Sequence, residues 1–259
     1  MTQFERGCFL IRYLTEEMPE YRDIPLPEDE TQQWQILRSL MNIRPPHPIS
    51  RAFLDVQDAY LSEMISRRRV LDCRRLPPTR TDSRIFLWQG DITRLKADAI
   101  VNAANSALLG CFSPCHSCID NIIHSLSGVQ LRLKCNEIMQ AQGHEEPAGG
   151  AKITPAYNLP CRYVIHTVGP VISGPLKKRD CNLLSECYES CLKLATANEL
   201  ESIAFCCIST GVFRFPQEKA AEIATDTVRR FLEHNTSIRQ VIFNVFTDRD
   251  LKIYQNILL

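Results

Sequence analysis

The chain has 259 residues, with thirty basic and thirty acidic side chains and a hydrophobic fraction of 44%. At about 150 residues per domain this length corresponds to one or two domains, and it is sufficient to bury a core without disulfide staples. Because the charges balance, no overall field favours nucleic acid or an anionic membrane, so we predict neither as a partner and expect any phosphate-bearing ligand to occupy a local site.

The N-terminal apolar stretch is interrupted by Arg6 and Arg12 and lacks the hydrophobic region of a signal peptide. The longest apolar runs are far shorter than the roughly 20 residues that a membrane helix needs. We therefore predict a cytoplasmic protein. The twelve cysteines are expected to stay reduced in that compartment.

Residues 1–83 are predicted to form a helical N-terminal extension that ends in a linker over 72–83. Apolar residues at helical spacing support two helices; they are Trp34, Leu37 and Met41, and then Phe53, Val56, Tyr60 and Met64. The first of these helices must stop before Pro45. The basic run at 67–69 is interpreted as the solvated end of the second helix, where cations suit the helix dipole.

From residue 84 onward, short apolar runs alternate with amphipathic segments. The predicted strands are Ile85–Gln89, Ala99–Ala103, Ile153–Ala156, Tyr163–Val168, Ile203–Ile208 and Val241–Phe246, and the predicted helices lie near 119–142, 182–199 and 216–234. Strands that alternate with helices favour a largely parallel sheet in a three-layer α/β/α sandwich over 84–259. In such a sheet a ligand binds beyond the carboxyl ends of the strands.

Three segments rich in small and polar residues follow predicted strands, at 89–93, 102–106 and 209–213. A turn of this kind before a helix presents free backbone N–H groups that suit a diphosphate. None has the glycine spacing of a Walker loop or a dinucleotide fingerprint. Each segment taken alone is also compatible with an ordinary turn that carries capping residues.

The segment GCFSPCHSCIDN at 110–121 contains three cysteines and a histidine. Thiolate and imidazole are preferred zinc ligands, and clustered cysteines in a cytosolic protein indicate metal binding or catalysis. The alternative is a set of free thiols with an unrelated histidine. Cys115 adjoins His116, and neighbouring residues rarely both reach one ion, so we predict that Cys115 is not a ligand.

The motifs GDIT, NAANSALLG, CFSPCHSCIDNIIH and ISTGVFRFP occur in this order. Together they resemble the macrodomain family, and the Cys/His insertion resembles its zinc-dependent branch of ADP-ribosyl hydrolases. The resemblance covers residues 84–259; the helical extension is similar to that of the branch but less diagnostic. It implies a macrodomain with a mixed, largely parallel sheet that hydrolyses mono-ADP-ribose from modified proteins, at the anomeric carbon of the distal ribose.

The resemblance also implies ligand contacts. Asp91 matches the residue that accepts a hydrogen bond from the adenine amino group, with Ile92 beside it. Asn102 and Asn105 match asparagines near the distal ribose, and Ile119 would also contact the ligand. The loop that cradles the diphosphate comprises Ser209, Thr210, Gly211, Val212 and Phe213, and Phe213 would contact the ribose.

The implied catalytic residues are Asp120, which opens the catalytic helix, and Asn105. The implied ligands of one Zn²⁺ per chain are Cys111, His116 and Cys118. Three protein ligands leave the fourth tetrahedral position open, which is the arrangement of catalytic zinc. We expect His124 and His166 to be structural, satisfied by hydrogen bonds.

Three alternatives remain open at this point. One is a non-catalytic ADP-ribose reader in which zinc only fixes the loop, and another is an O-acyl-ADP-ribose deacylase that uses the same pocket. The third is a structural zinc module that acts through its N-terminal helices. The two polar segments at strand ends, 102–106 and 209–213, argue against this last reading.

Overall fold

The computed structural model describes residues 1–25 and 27–259. Its helices are α1 Gln3–Glu17, α2 Glu30–Ile43, α3 Arg51–Ser66, α4 Ile119–Ser127, α5 Val129–Gln142, α6 Lys178–Ala197, α7 Gln217–Glu233 and α8 Asp248–Leu258. The strands are β1 Leu71–Asp72, β2 Ile85–Gln89, β3 Leu95–Lys96, β4 Ala99–Ala103, β5 Ala151–Pro155, β6 Tyr163–Thr167, β7 Ser202–Phe205 and β8 Gln240–Val245. Within these described ranges, no helix combines the length and the apolar character that a membrane crossing requires.

Six strands form one sheet in the order β2-β8-β7-β4-β6-β5, in which all neighbours are parallel except β5 and β6. Successive side chains of a strand point to opposite faces. In β4, Val101 therefore joins the apolar cluster under α6, α7 and α8, whereas Ile100 joins the cluster under α4 and α5. Helices thus cover both faces, and the predicted α/β fold with a mixed, largely parallel sheet is confirmed.

One predicted helix was wrong in its extent, and one observed helix was not predicted. The segment 119–142 is not one helix, because Gly128 (φ +95°) separates α4 from α5. Helix α8 was not predicted, although Leu251, Tyr254 and Leu258 have helical spacing and pack on the core. The predicted strands at 85–89 and 99–103 have the observed bounds.

Gly128 provides a test of how the two helices are joined. A Cβ at this position would lie 2.5 Å from Gln57 Nε2, and the buried Gln57 side chain accepts from Val129 N–H at 2.9 Å. We expect Gly128→Ala to lower the free energy of unfolding by about 1–3 kcal/mol, since a non-glycine residue is strained there. Denaturant titration measures this; Gly174→Ala, with φ +93° and open space around its Cβ position, should lose less. Equal losses would contradict the crowding argument.

Helices α1, α2 and α3 pack around their own apolar cluster, which includes Leu14, Leu37 and Phe53. They are also tied to the sheet domain, because β1 pairs with β3 and Cys73 is buried in the cluster beneath α4. The N-terminal helices therefore have a fixed position beside α4. The division of the chain near residue 83, into a helical extension and the sheet domain, stays a prediction.

Candidate active site

A cleft of about 980 Å³ opens at the carboxyl ends of the parallel strands. Its volume lies at the upper end of the range of about 300–1,000 Å³ that is usual for small-molecule sites. The predicted site residues that line it are Asp91, Ile92, Asn105, Cys111, His116, Cys118, Ile119, Asp120, Ser209, Thr210, Gly211, Val212 and Phe213. Three separate segments that follow strands, together with the Cys/His loop, thus meet at one site.

At one part of the cleft, Asp91 follows β2 and caps a short 3₁₀ turn. Its Oδ1 accepts from the Thr93 N–H at 3.0 Å and from Thr93 Oγ1 at 2.6 Å. Its Oδ2 accepts from Arg68 Nη2 at 2.5 Å. Arg68 belongs to the basic run that sequence analysis assigned to solvent; it is instead paired and lines the cleft. The carboxylate is therefore fixed in orientation on both oxygens.

Asp120 lies in the first turn of α4, is 6% exposed and lines the cleft. Asn102 Nδ2 donates to its Oδ1 at 2.8 Å, and Asn105 Nδ2 donates to its Oδ2 at 3.3 Å. Burial raises the pKa of Asp120 to about 6, against the lowering effect of the Asn102 hydrogen bond. Two amides therefore aim this carboxyl group, and its surroundings make it more basic than an ordinary aspartate.

Asn102 itself lies behind Asp120, fully buried, and is not among the residues that line the cleft. Its Nδ2 also lies 3.1 Å from His166 Nδ1, and His166 Nε2 lies 3.0 Å from Thr154 Oγ1. Because the amide donates to Nδ1, the imidazole carries its proton on Nε2 and donates it to Thr154. Burial lowers the pKa of His166 to about 3, so the ring is neutral.

The other buried histidine, His124, differs from the prediction. Neither of its ring nitrogens has a hydrogen-bond partner among the described residues, although Nε2 lies 3.6 Å from Asp120 Oδ1. Burial lowers its pKa well below the ordinary value. A neutral imidazole thus stands beside the buried carboxyl group.

Ligand atoms of Cys111, His116 and Cys118 all lie within 4.8 Å of one another, beside the cleft. Cys115 lies outside this group, because its Sγ is 3.2 Å from Ser39 Oγ on α2. Two thiols and an imidazole form a donor set that zinc prefers. The residues present therefore fit one zinc ion that is reachable from the cleft.

Burial raises the pKa of the Cys118 thiol to about 11, with the neighbouring Cys111 adding to the rise. Metal binding at this group would accordingly release protons. A second group, His124, Cys135 and His166, is also close enough to hold an ion. Two of these residues are less available to a metal ion than those of the first group. Both nitrogens of His166 are already hydrogen bonded, and burial raises the pKa of Cys135 to about 12.

The loop from Ser209 to Phe213 closes another side of the cleft. Ser209 has φ +65°, and the loop is closed by Phe215 N–H, which donates to Ser209 O at 3.0 Å. Gly169 faces it so closely that a Cβ there would lie 1.9 Å from Ser209 Oγ. Along the described chain, the N–H groups of Gly211, Val212 and Phe213 make no internal hydrogen bond, and a turn with free N–H groups suits an anion.

Sequence analysis missed several residues that line this cleft. They are Trp34, Arg38, Met64 and Arg68 from the N-terminal helices, and Gly169, Asn244 and Phe246 from the sheet domain. Phe246 follows β8 and is 74% exposed, so the argument from strand ends would have found it. The residues of the N-terminal helices gave no such signal, because their position depends on packing between distant segments.

Residues 101–224 match the model of the Macro domain. The chain is 56% identical to a protein-ADP-ribose hydrolase of Treponema medium, with 100% of both chains covered. It is 52% identical to a protein-ADP-ribose hydrolase of Staphylococcus aureus strain MSSA476, with 95% of this chain and 93% of the relative covered.

A solved structure gives the same result. The macrodomain of Trypanosoma brucei in complex with ADP-ribose is similar at a TM-score of 0.66 and 31% identity, covering 89% of this chain and 96% of that one. The high identity to the hydrolases extends over the N-terminal helices as well as the sheet domain. The chain therefore belongs to the Macro domain family and is a hydrolase.

Proposed function

We propose that this hydrolase removes mono-ADP-ribose from modified proteins by cleaving the bond at the anomeric carbon of the distal ribose. The observation that carries the proposal is the buried Asp120 carboxyl group, which two asparagines aim at a cleft lined by two cysteines and a histidine. The names of the relatives support the substrate class. A binding module alone would not need a buried carboxyl group aimed in this way.

The ligand would extend along the cleft from Asp91 to Asp120. Asp91, with Ile92 beside it, would accept from the adenine amino group, and the N–H groups of the loop 209–213 would bind the diphosphate. Phe213 would contact the ribose next to that loop. Asn105 and Ile119, which line the cleft beside Asp120, would contact the distal ribose.

One Zn²⁺ would be held by Cys111, His116 and Cys118. When bound, such an ion supplies Lewis acidity towards a substrate oxygen or water. The proposal is supported by the proximity of the three donor atoms and by their position beside the cleft. The contact of Cys115 Sγ with Ser39 Oγ supports leaving Cys115 out of the ligand set.

Asp120 would act on the reacting carbon. Cleavage at an anomeric carbon passes through a state with positive charge on the ribose. The carboxylate would orient the attacking water or stabilise that charge, and Asn105 Nδ2 would hold its Oδ2 in place. Asn102, which lies behind Asp120, would be a positioning residue that acts through the hydrogen bond to Oδ1.

The direct test is release of ADP-ribose from a purified mono-ADP-ribosylated protein, followed by chromatography of the freed nucleotide. We expect multiple turnovers with the zinc-loaded protein. Tight binding of ADP-ribose without release would instead identify a reader. Release from O-acetyl-ADP-ribose alone, with modified protein left intact, would identify a deacylase of small metabolites.

The adenine contact allows a second test. Asp91→Ala should raise the Kd for ADP-ribose at least about ten-fold, because a hydrogen bond to a charged group is worth about 1.5–3 kcal/mol. Wild-type protein should bind inosine diphosphate ribose, which has a carbonyl in place of the amino group, more weakly than ADP-ribose. The variant should lose that preference in calorimetric titrations, whereas Asp226→Ala, which changes an exposed carboxylate on α7, should retain it. Undiminished discrimination in Asp91→Ala would remove Asp91 from the adenine site.

We also propose a reducing, cytoplasmic location. All twelve cysteines are free. Free thiols at the metal-ligand positions Cys111 and Cys118 require a compartment that keeps them reduced.

A further inference from the structure

Helix α2 packs against the metal loop, defined here as residues 111–118. Arg38 Nη2 donates to the His116 carbonyl oxygen at 2.6 Å. One turn further along, Asn42 Oδ1 accepts from the Cys115 N–H at 2.9 Å. Ser39 Oγ lies 3.2 Å from Cys115 Sγ. Because positions 38, 39 and 42 share one side of a helix, a single face of α2 contacts the middle of the metal loop.

The same arginine is joined to α4 on the far side of the loop. Arg38 Nη2 and Nε donate to Asn121 Oδ1 at 2.7 and 3.2 Å. Asn121 Nδ2 in turn donates to the carbonyl oxygens of Cys111 at 3.2 Å and Ser113 at 2.9 Å. The planar guanidinium thus spans two elements at once, and the pair Arg38–Asn121 holds three carbonyl groups of the metal loop.

The metal loop contains neither helix nor strand, so its own backbone hydrogen bonds contribute little to its shape. Among the described residues, its internal backbone bonds amount to one, from His116 N–H to Ser113 O at 3.2 Å. An irregular loop of this kind would otherwise lose conformational entropy when its donors converge on an ion. Inside the loop, Cys118 N–H also donates to His116 Nδ1 at 3.3 Å. Side chains from outside the loop therefore supply most of the hydrogen bonds that fix its shape.

We propose that Arg38 is a positioning residue for the metal ligand His116, and that the α2 face formed by Arg38, Ser39 and Asn42 preorganises the metal loop for its ion. The inference rests on the zinc site of the proposed function. It assigns the N-terminal helices a direct part in metal affinity, beyond the cleft wall that they provide. Outer groups that orient ligands commonly change metal affinity about 10–100-fold when removed.

The test is the affinity for Zn²⁺, measured by competition with a chromophoric chelator and without any substrate. Arg38→Met keeps an unbranched side chain but removes the guanidinium donors, and we expect Zn²⁺ affinity to fall about 10–100-fold. Arg38→Lys keeps a charged donor but loses the planar guanidinium, which can donate to two groups at once. Its affinity for Zn²⁺ should therefore be intermediate. Arg12→Met, which removes an exposed arginine of α1, should bind Zn²⁺ like the wild type.

A Co²⁺-substituted sample gives a second readout that general destabilisation does not mimic. If Arg38 orients His116, the visible ligand-field bands of the folded Arg38→Met protein should shift, with far-ultraviolet circular dichroism unchanged. Unaltered Zn²⁺ affinity and an unaltered Co²⁺ spectrum in Arg38→Met would overturn the inference. A wild-type protein that binds no Zn²⁺ would instead refute the metal site of the proposed function, so the two failures are distinguishable.

Discussion

Replacing Asp120 with asparagine is expected to reduce the rate of ADP-ribose release from a modified protein by about 10²–10⁴-fold, the usual contribution of a positioned proton-transfer or charge-stabilising group. The substitution keeps the shape of the side chain and removes its charge. Asn102 Nδ2 can still donate to the new amide oxygen, as it does to Oδ1 at 2.8 Å. The loss should therefore fall on the rate constant for release under single-turnover conditions, with the affinity for free ADP-ribose retained.

Asp98→Asn is the matched control for this substitution. Asp98 also accepts several hydrogen bonds, including one from Ser202 N–H at 3.0 Å, but it precedes β4 and so lies at the opposite edge of the sheet from the cleft. This variant should lose stability and keep its rate of release. An Asp120→Asn protein with the wild-type rate would eliminate the carboxylate from the reaction.

Asn102 and Asp120 are hydrogen bonded to each other, so we expect substitutions at the two positions to affect catalysis as one unit. If Asn102 acts through Asp120, Asn102→Ala should lower kcat in the wild-type background and have little further effect in the Asp120→Asn background. Groups that act as one unit are non-additive in this way. Additive losses would indicate that Asn102 acts on the ligand independently.

Local patterns in the sequence were sufficient for much of the fold. The continuous apolar runs at 85–89 and 99–103 predicted strands with the observed bounds, because strands covered on both faces need apolar residues throughout. The break between α4 and α5 was missed because the apolar pattern continues across it. The positive φ of Gly128 interrupts the helix there.

The site, like the fold, was predictable from the sequence where a local pattern determined it, and not where distant segments pack together. Residues after strand ends could be assigned to the cleft because parallel strands end at one edge. Asn102 is still within β4, on the same face as Ile100, so its side chain is buried under α4, whereas Asn105 lies beyond the strand and reaches the cleft. The contacts of Arg38 with His116 and of Arg68 with Asp91 join segments 78 and 23 residues apart. No periodicity encodes such pairs, since they depend on how α2 and α3 pack on the sheet domain.

If Cys111, His116 and Cys118 hold zinc as proposed, removing that ion should have an effect of similar size to the loss of Asp120. Cys118→Ser is expected to lose stoichiometric Zn²⁺ and to lower the rate of release at least about 10²-fold, because a catalytic metal contributes several kcal/mol to charge stabilisation. Chelation of the wild-type protein should have the same result, and added Zn²⁺ should restore activity. Magnesium should not, because soft thiolate ligands disfavour it.

Cys115→Ser is the sharpest control, because it changes a cysteine of the same loop whose Sγ faces Ser39 Oγ at 3.2 Å instead of the ligand group. Its Zn²⁺ content and its rate of release should match those of the wild type. Loss of release in Cys118→Ser with unchanged binding of ADP-ribose would show that the metal serves the reaction. Equal loss of binding and release would show that it only shapes the cleft, and full release from a metal-free protein would leave Asp120 to act without an ion.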